Sequence, residues 1–149
     1  MEKKVQKKYV DESLGFPVIL LNAPMIKVRN EWALHVNYND YQRTVLDMLA
    51  HKSSRLTGSE VQFIRKFFAK TVRAFADRFS VKHPAVLKWE RKGNGATQMA
   101  WSTEKDIRLF ILDELQKKSA EIRDLYRSLR NVAEGASEPI VIAGDEVAA

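Results

Sequence analysis

The chain reads as an α+β protein, mostly α, with a small N-terminal antiparallel β unit followed by a helical domain that ends in a long C-terminal helix. Three observations predict this. Short apolar runs separated by turn residues fill positions 16–36; apolar residues recur at helical spacing behind strong helix starts between positions 57 and 90; and a further stripe at that spacing runs from 101 to 129. With 149 residues, 45% hydrophobic and 30% charged, the chain is long enough for one domain or a domain with an appendage, and its composition suits a packed core.

The first residues carry Lys3, Lys4, Lys7 and Lys8 with little apolar content, and read as a mobile basic start. Pro17–Leu21, Met25–Val28 and Trp32–Val36 follow as β-like runs, punctuated at Asn22-Ala23-Pro24 and Arg29-Asn30-Glu31, which predicts a three-stranded antiparallel meander. So small a sheet needs a covering element. The helix expected from Asn39 to about His51, with Tyr41, Val45, Leu46 and Leu49 on one face, supplies it. Lys52-Ser53-Ser54-Arg55 then interrupts the apolar pattern and reads as a hinge, which closes an N-terminal unit at 1–52.

Thr57-Gly58-Ser59-Glu60 has the pattern of a capping box, and Val61, Ile64, Phe67 and Phe68 continue it on one helical face. Thr71 starts a second helix with Val72, Phe75, Ala76 and Phe79 as its stripe. A third, from about His83 to Glu90, tolerates Pro84 in its first turn and buries Val86 and Trp89. Two short helices joined by a tight turn, with small Ala76 where they cross, make a helix-turn-helix, a unit able to present its second helix to the major groove of duplex DNA. On that helix Lys82, His83, Ala85, Leu87 and Lys88 face outward as candidate base contacts, and Lys70, Thr71, Arg73, Arg91 and Lys92 are candidate phosphate contacts.

Charge supports the same partner. The chain is +6 overall, and the nine cations from Ser59 to Gly93 (Arg65, Lys66, Lys70, Arg73, Arg78, Lys82, Lys88, Arg91, Lys92) against three anions (Glu60, Asp77, Glu90) give this segment an excess equal to that of the whole chain.

Residues 57–93 resemble the Cro/C1-type, or XRE, helix-turn-helix regulators through Thr71, Ala76, Val81, Val86, the Trp89-Glu90 pair and Gly93. The resemblance implies a groove-reading second helix, a dimer on an inverted-repeat operator, and a sequence-specific transcriptional regulator, a repressor in the first instance. Three positions depart from that pattern: Val72 where a glutamine is frequent, Ser80 where the turn usually has glycine, and Lys82 in place of a Ser or Thr cap. The order of parts is also similar to the MqsA-type antitoxins. That implies an alternative in which the N-terminal unit neutralises a toxin-like protein partner while the helix-turn-helix autoregulates the operon. The zinc site of that family has no counterpart here, since the chain has no cysteine.

Beyond Gly93, Trp101 and a start at Ser102-Thr103 lead into Ile107, Phe110, Ile111, Leu115, Ile122, Leu125 and Leu129, expected as one long helix. Ile107, Phe110, Ile111, Leu115 and Ile122 are the candidate dimerisation stripe, with a folded-back hairpin broken near Lys117-Lys118-Ser119 as the other arrangement. The helix-turn-helix domain is thus expected over 56–131, and 132–149, with Gly135, Pro139 and Gly144 and no stripe, as a disordered tail. His35, His51 and His83 fall in separate segments without metal-ligand spacing, so no metal, cofactor or enzymatic activity is expected. No signal peptide or membrane span is read, and the expected location is the cytoplasm.

Overall fold

The computed structural model describes residues 1–117, 119–129 and 137–149. It is α+β and mostly helical, and divides into two units, one of residues 1–45 with 139–149 and one of residues 46–138.

The first unit is built on a four-stranded sheet of β1 (Lys3–Asp11), β2 (Val18–Val28), β3 (Glu31–Leu34) and β4 (Val141–Ala143). Strand β2 is its centre. On one side it pairs antiparallel with β1, from Lys3 opposite Ile26 to Asp11 opposite Val18. On the other side its C-terminal half pairs antiparallel with β3 and its N-terminal half pairs parallel with β4, Ile19 opposite Val141. The β2–β3 connection is a two-residue turn in which Arg29 and Asn30 both take positive φ, the geometry that matches strand twist in a tight hairpin.

Two expectations are corrected here. The basic N-terminus is a strand: it pairs with β2 from Lys3 to Asp11, with Gln6 and Tyr9 half-buried and Asp11 buried while its lysines stay in water, as an edge strand allows. The expected disordered tail is ordered from 137 onward: Ile140, Ile142 and Val147 are buried, and the amides of Ile19 and Asn37 donate to the carbonyls of Ile140 and Val147. A Cβ on Gly144 would lie 2.4 Å from the Asn22 carbonyl oxygen, so only glycine lets the tail lie this close to β2. The part of that tail at 132–136 lies outside the described residues.

Helix α1 (Tyr38–Ala50) buries Tyr41 and Val45, and the Tyr41 hydroxyl donates to the Asp11 carboxylate at 2.7 Å. Burial, reinforced by the neighbouring Asp11 carboxylate, pushes the Tyr41 phenol well above its ordinary range.

The second unit contains α2 (Gly58–Phe67), α3 (Val72–Arg78), α4 (His83–Glu90), α5 (Trp101–Glu114) and α6 (Ser119–Ser128). The expected long C-terminal helix is therefore two helices. Helix α5 ends in a turn where Gln116 takes a φ of 57°, with the Lys117 amide donating to the Leu112 carbonyl and the Gln116 amide to Asp113. The start of α5 also differs from the Ser102-Thr103 expectation. Ala100 holds the N-cap position and offers no side-chain bond.

Leu46 and Leu49 from α1, Leu56, Val61, Ile64, Phe75, Val86, Ile107, Ile111 and Leu112 are fully buried in this unit. Around Phe110 the rings of Phe68 and Phe79 pack edge-on at 5.0 and 5.4 Å between centroids, tying α2, α3 and α5 together. Ile107, Phe110, Ile111 and Leu115, expected at a two-fold interface, thus belong to the core of the unit, and Ile122 is half-buried. The stripe is covered from within, which corrects its assignment as a dimer surface.

The hinge expected at 52–55 is corrected as well. Lys52, Ser54, Arg55 and Leu56 are all buried. The Arg108 guanidinium, with no exposure at all, donates to the carbonyls of Ala50, Lys52 and Ser54 and to the equally buried Glu104 carboxylate at 2.7 Å. Arg55 pairs with the other oxygen of Glu104 at 2.8 Å, and the Lys52 ammonium contacts both oxygens of Glu60 at 2.8 Å and the Ser137 hydroxyl. A loop without secondary structure can be buried only if its backbone finds partners, and Arg108 supplies them. Burial lowers the Arg108 pKa from its ordinary value, while Glu104 opposes that shift.

Candidate nucleic-acid interface

Three devices hold α4 in place, and each begins in local sequence. The first is the start of α2. The Thr57 hydroxyl accepts from the Glu60 amide at 3.2 Å and the Glu60 carboxylate accepts from the Thr57 amide at 2.9 Å, the reciprocal capping box that the sequence predicts. This brings Gly58 onto the end of α4, where a Cβ would lie 2.2 Å from the Trp89 carbonyl oxygen. The Ser59 and Gly58 amides donate to the carbonyls of Gly93 and Gly95, so the loop after α4 is fastened to the start of α2.

The second device is a fork. Arg65 on α2 meets Glu90 at the end of α4 through Nη2–Oε1 at 2.7 Å and Nε–Oε2 at 3.1 Å, and its Nη1 donates to the Lys70 carbonyl. Two parallel bonds between planar groups fix orientation as well as distance. The third is the α3–α4 turn. Thr71 caps α3 by accepting from the Ala74 amide at 3.0 Å, and Ser80 takes a φ of 56° while the Val81 amide donates to the Ala76 carbonyl at 3.0 Å. Ser80 therefore does adopt the left-handed conformation that glycine accepts more easily. Lys82 is the N-cap of α4 and makes no capping bond through its side chain.

With α4 so held, Val86 and Trp89 are buried, as expected, and Lys82, His83, Leu87 and Lys88 are exposed, with Ala85 half-buried. Arg73, Lys82 and His83 come together along an open groove at the α3–α4 junction, shared with Ala76, Val81 and Pro84 and with Asp77 as its acidic member. Among the described residues, Arg73, Lys82, Lys88, Arg91 and Lys92 form no ion pair. Thr71, Arg73, Arg91 and Lys92 are exposed. Lys70 is different: it is half-buried, with its ammonium 5.7 Å from the Phe110 ring centroid. Arg78 likewise lies over Phe79 and Phe110 and reaches Asp106 at 3.7 Å. Arg65 is committed to Glu90, so of the nine cations in this segment three serve packing as well as charge.

The sequence reading missed Gly58 and the Arg65–Glu90 fork as positioning residues. The signal for Gly58 was a glycine inside the first turn of a strongly capped helix, where a better helix former would otherwise be expected. Among the described residues no group of three or more His, Cys, Asp or Glu side chains is placed to hold a metal ion, and no helix is long and apolar enough to cross a membrane. No family model, curated protein or solved structure matches the chain.

Proposed function

We propose that this chain is a sequence-specific double-stranded-DNA-binding regulator that reads the major groove with α4. One observation carries the reading: α4 buries Val86 and Trp89 against a braced scaffold and turns outward Lys82, His83 and Lys88, none of them engaged by an anion of the described chain. An α-helix with its side chains is about 10–12 Å across, which fits a major groove about 12 Å wide.

In this reading Lys88 donates to guanine O6 or N7, His83 meets a base edge, and Leu87 and Ala85 contact a thymine methyl. Arg73, Arg91 and Lys92 hold the backbone and fix register without carrying sequence information. The resemblance to XRE-type regulators supports the same assignment and adds repression in the cytoplasm from an inverted-repeat operator by two copies of the chain. The two-fold contact then lies outside the α5 stripe, which the core occupies.

The test is the salt dependence of binding to labelled duplex. The expected result is a steep fall in affinity with salt, with Arg73→Ala reducing the slope of log K against log salt by about 1. Weak binding with a flat salt dependence would sink the assignment.

A further inference from the structure

Strand β1 ends its sheet: it pairs with β2 along one side and with no strand among the described residues along the other. Along β1, backbone N–H and C=O groups therefore point away from β2 without a ladder to join, the Lys8 carbonyl alone among the described groups accepting from a side chain, Gln6 Nε2 at 2.9 Å. Register and burial sort the side chains. Lys4, Gln6 and Tyr9 stand opposite the buried Met25, Ala23 and Leu20, whereas Lys3, Val5, Lys8 and Val10 stand opposite Ile26, Pro24, Leu21 and Ile19, none of which is buried. Val5 is 68% exposed and Val10 49%. Two cation–aliphatic pairs, Lys3 with Val5 and Lys8 with Val10, thus lie on the exposed side of the edge, on either side of an irregularity where Asn22 takes a φ of 54° and the register skips Lys7.

These charges choose between occupants. A second copy pairing β1 with β1 would set Lys3, Lys4, Lys7 and Lys8 of one chain against the same residues of the other, and like charges across a strand pair are destabilising. Within the described chain Lys3, Lys7 and Lys8 have no carboxylate partner, the nearby Glu2 lies against Lys27 at 3.9 Å, and Asp11 is held by Tyr41 and Ser13. The edge repels itself, and the Glu2 and Asp11 carboxylates at its two ends are turned to other partners. We propose that the free edge of β1 receives an extended acidic segment of a partner protein by β-augmentation, with carboxylates facing Lys3 and Lys8 and apolar side chains resting on Val5 and Val10. Main-chain bonds supply the affinity, and the lysines reject basic and neutral strands.

The experiment titrates the full chain with a labelled peptide as long as β1 in which Glu and Val take turns on one face and Thr fills the other, and follows anisotropy together with amide hydrogen exchange. Saturable binding that slows exchange along β1 is expected, weakened at least about tenfold by Lys3→Glu with Lys8→Glu and to a similar extent by proline at alternate positions of the peptide. The proline arm uses the unaltered protein, so it decides the matter even if the charge-reversed variant fails to fold. The proposal is overturned by absent binding, by unchanged exchange along β1, or by a proline-bearing peptide that binds as well as its parent. It is equally overturned if a single-stranded oligonucleotide protects β1 while the peptide does not, or if the wild-type chain self-associates through β1.

Discussion

Two sets of cations in the helical unit have opposite fates. Lys52, Arg55, Arg65 and Arg108 are buried or nearly so, and each is matched to a carboxylate at 2.7–2.8 Å; Lys82, Lys88, Arg73, Arg91 and Lys92 are exposed and matched to none among the described residues. The residue types are the same, so composition cannot separate them. Position does. A charge taken out of water must be paired and hydrogen-bonded to be tolerated, and such a pair is part of the scaffold. A charge left in water with no partner is available to a ligand. The first population holds the buried loop before α2 and, through Arg65, the end of α4; the second is what α4 and its flanks present.

The largest loss is expected at Arg108. Replacing it by alanine leaves the fully buried Glu104 without that partner and removes the donor from three loop carbonyls, so Arg108→Ala is expected to cost about 3–5 kcal/mol in chemical unfolding. A cost under about 1 kcal/mol would mean that the loop is held by something else.

Gly58→Ala comes next. Its added Cβ meets backbone oxygen of α4, which cannot swing aside as a side chain could, and the expected loss is about 1–3 kcal/mol with duplex affinity falling alongside stability. Equal stability with unchanged binding would refute the bracing role.

On the exposed side, Lys88→Ala is expected to leave the unfolding midpoint in place and to cost about 1–3 kcal/mol of binding, confined to sequences that differ at one base position. Arg73→Ala should weaken all sequences alike. Were the two variants indistinguishable across a panel of duplexes, the division into base and phosphate contacts would be wrong.

The smallest effect sharpens the turn between α3 and α4. Ser80→Gly removes the penalty of a side chain at a φ of 56° and is expected to stabilise the chain by roughly 1 kcal/mol, less the extra unfolded-state freedom of glycine. Thermal unfolding of the pair measures it, and a destabilised variant would contradict the strain argument.

Much of the helical unit was legible because its signals are local. The Thr57–Glu60 box, the Thr71 cap, Pro84 in a first turn and the burial of Val86 and Trp89 each depend on residues within a turn or two of one another. Helix α4 runs from His83 to Glu90, as the spacing predicts. What escaped was non-local. Strand β4 pairs with a segment more than a hundred residues earlier in the chain, and three residues of Val-Ile-Ala after a Pro carry no periodicity to announce it. Strand β1 is hidden by its lysines, since an edge strand need not be apolar on its open side.

The α5 stripe was legible as buried but not as to what buries it. Glu104 and Arg108 share a helical face with Ile107, Ile111 and Leu115, and a charged pair four apart inside an apolar stripe is the trace of a buried pair facing its own chain. Of the candidate site, the outward set on α4 followed from the same periodicity that buried its neighbours. Lys70 did not, because the Phe110 ring beneath it comes from a helix 40 residues away.

The most direct test of the account is selection of bound duplexes from a random-sequence pool at near-physiological salt, with wild type beside a variant carrying Lys82→Ala, His83→Ala and Lys88→Ala. The prediction is an enriched motif from the wild type that vanishes in a variant of unchanged thermal stability. A motif retained by the triple variant, or no enrichment by the wild type, would contradict groove reading through α4.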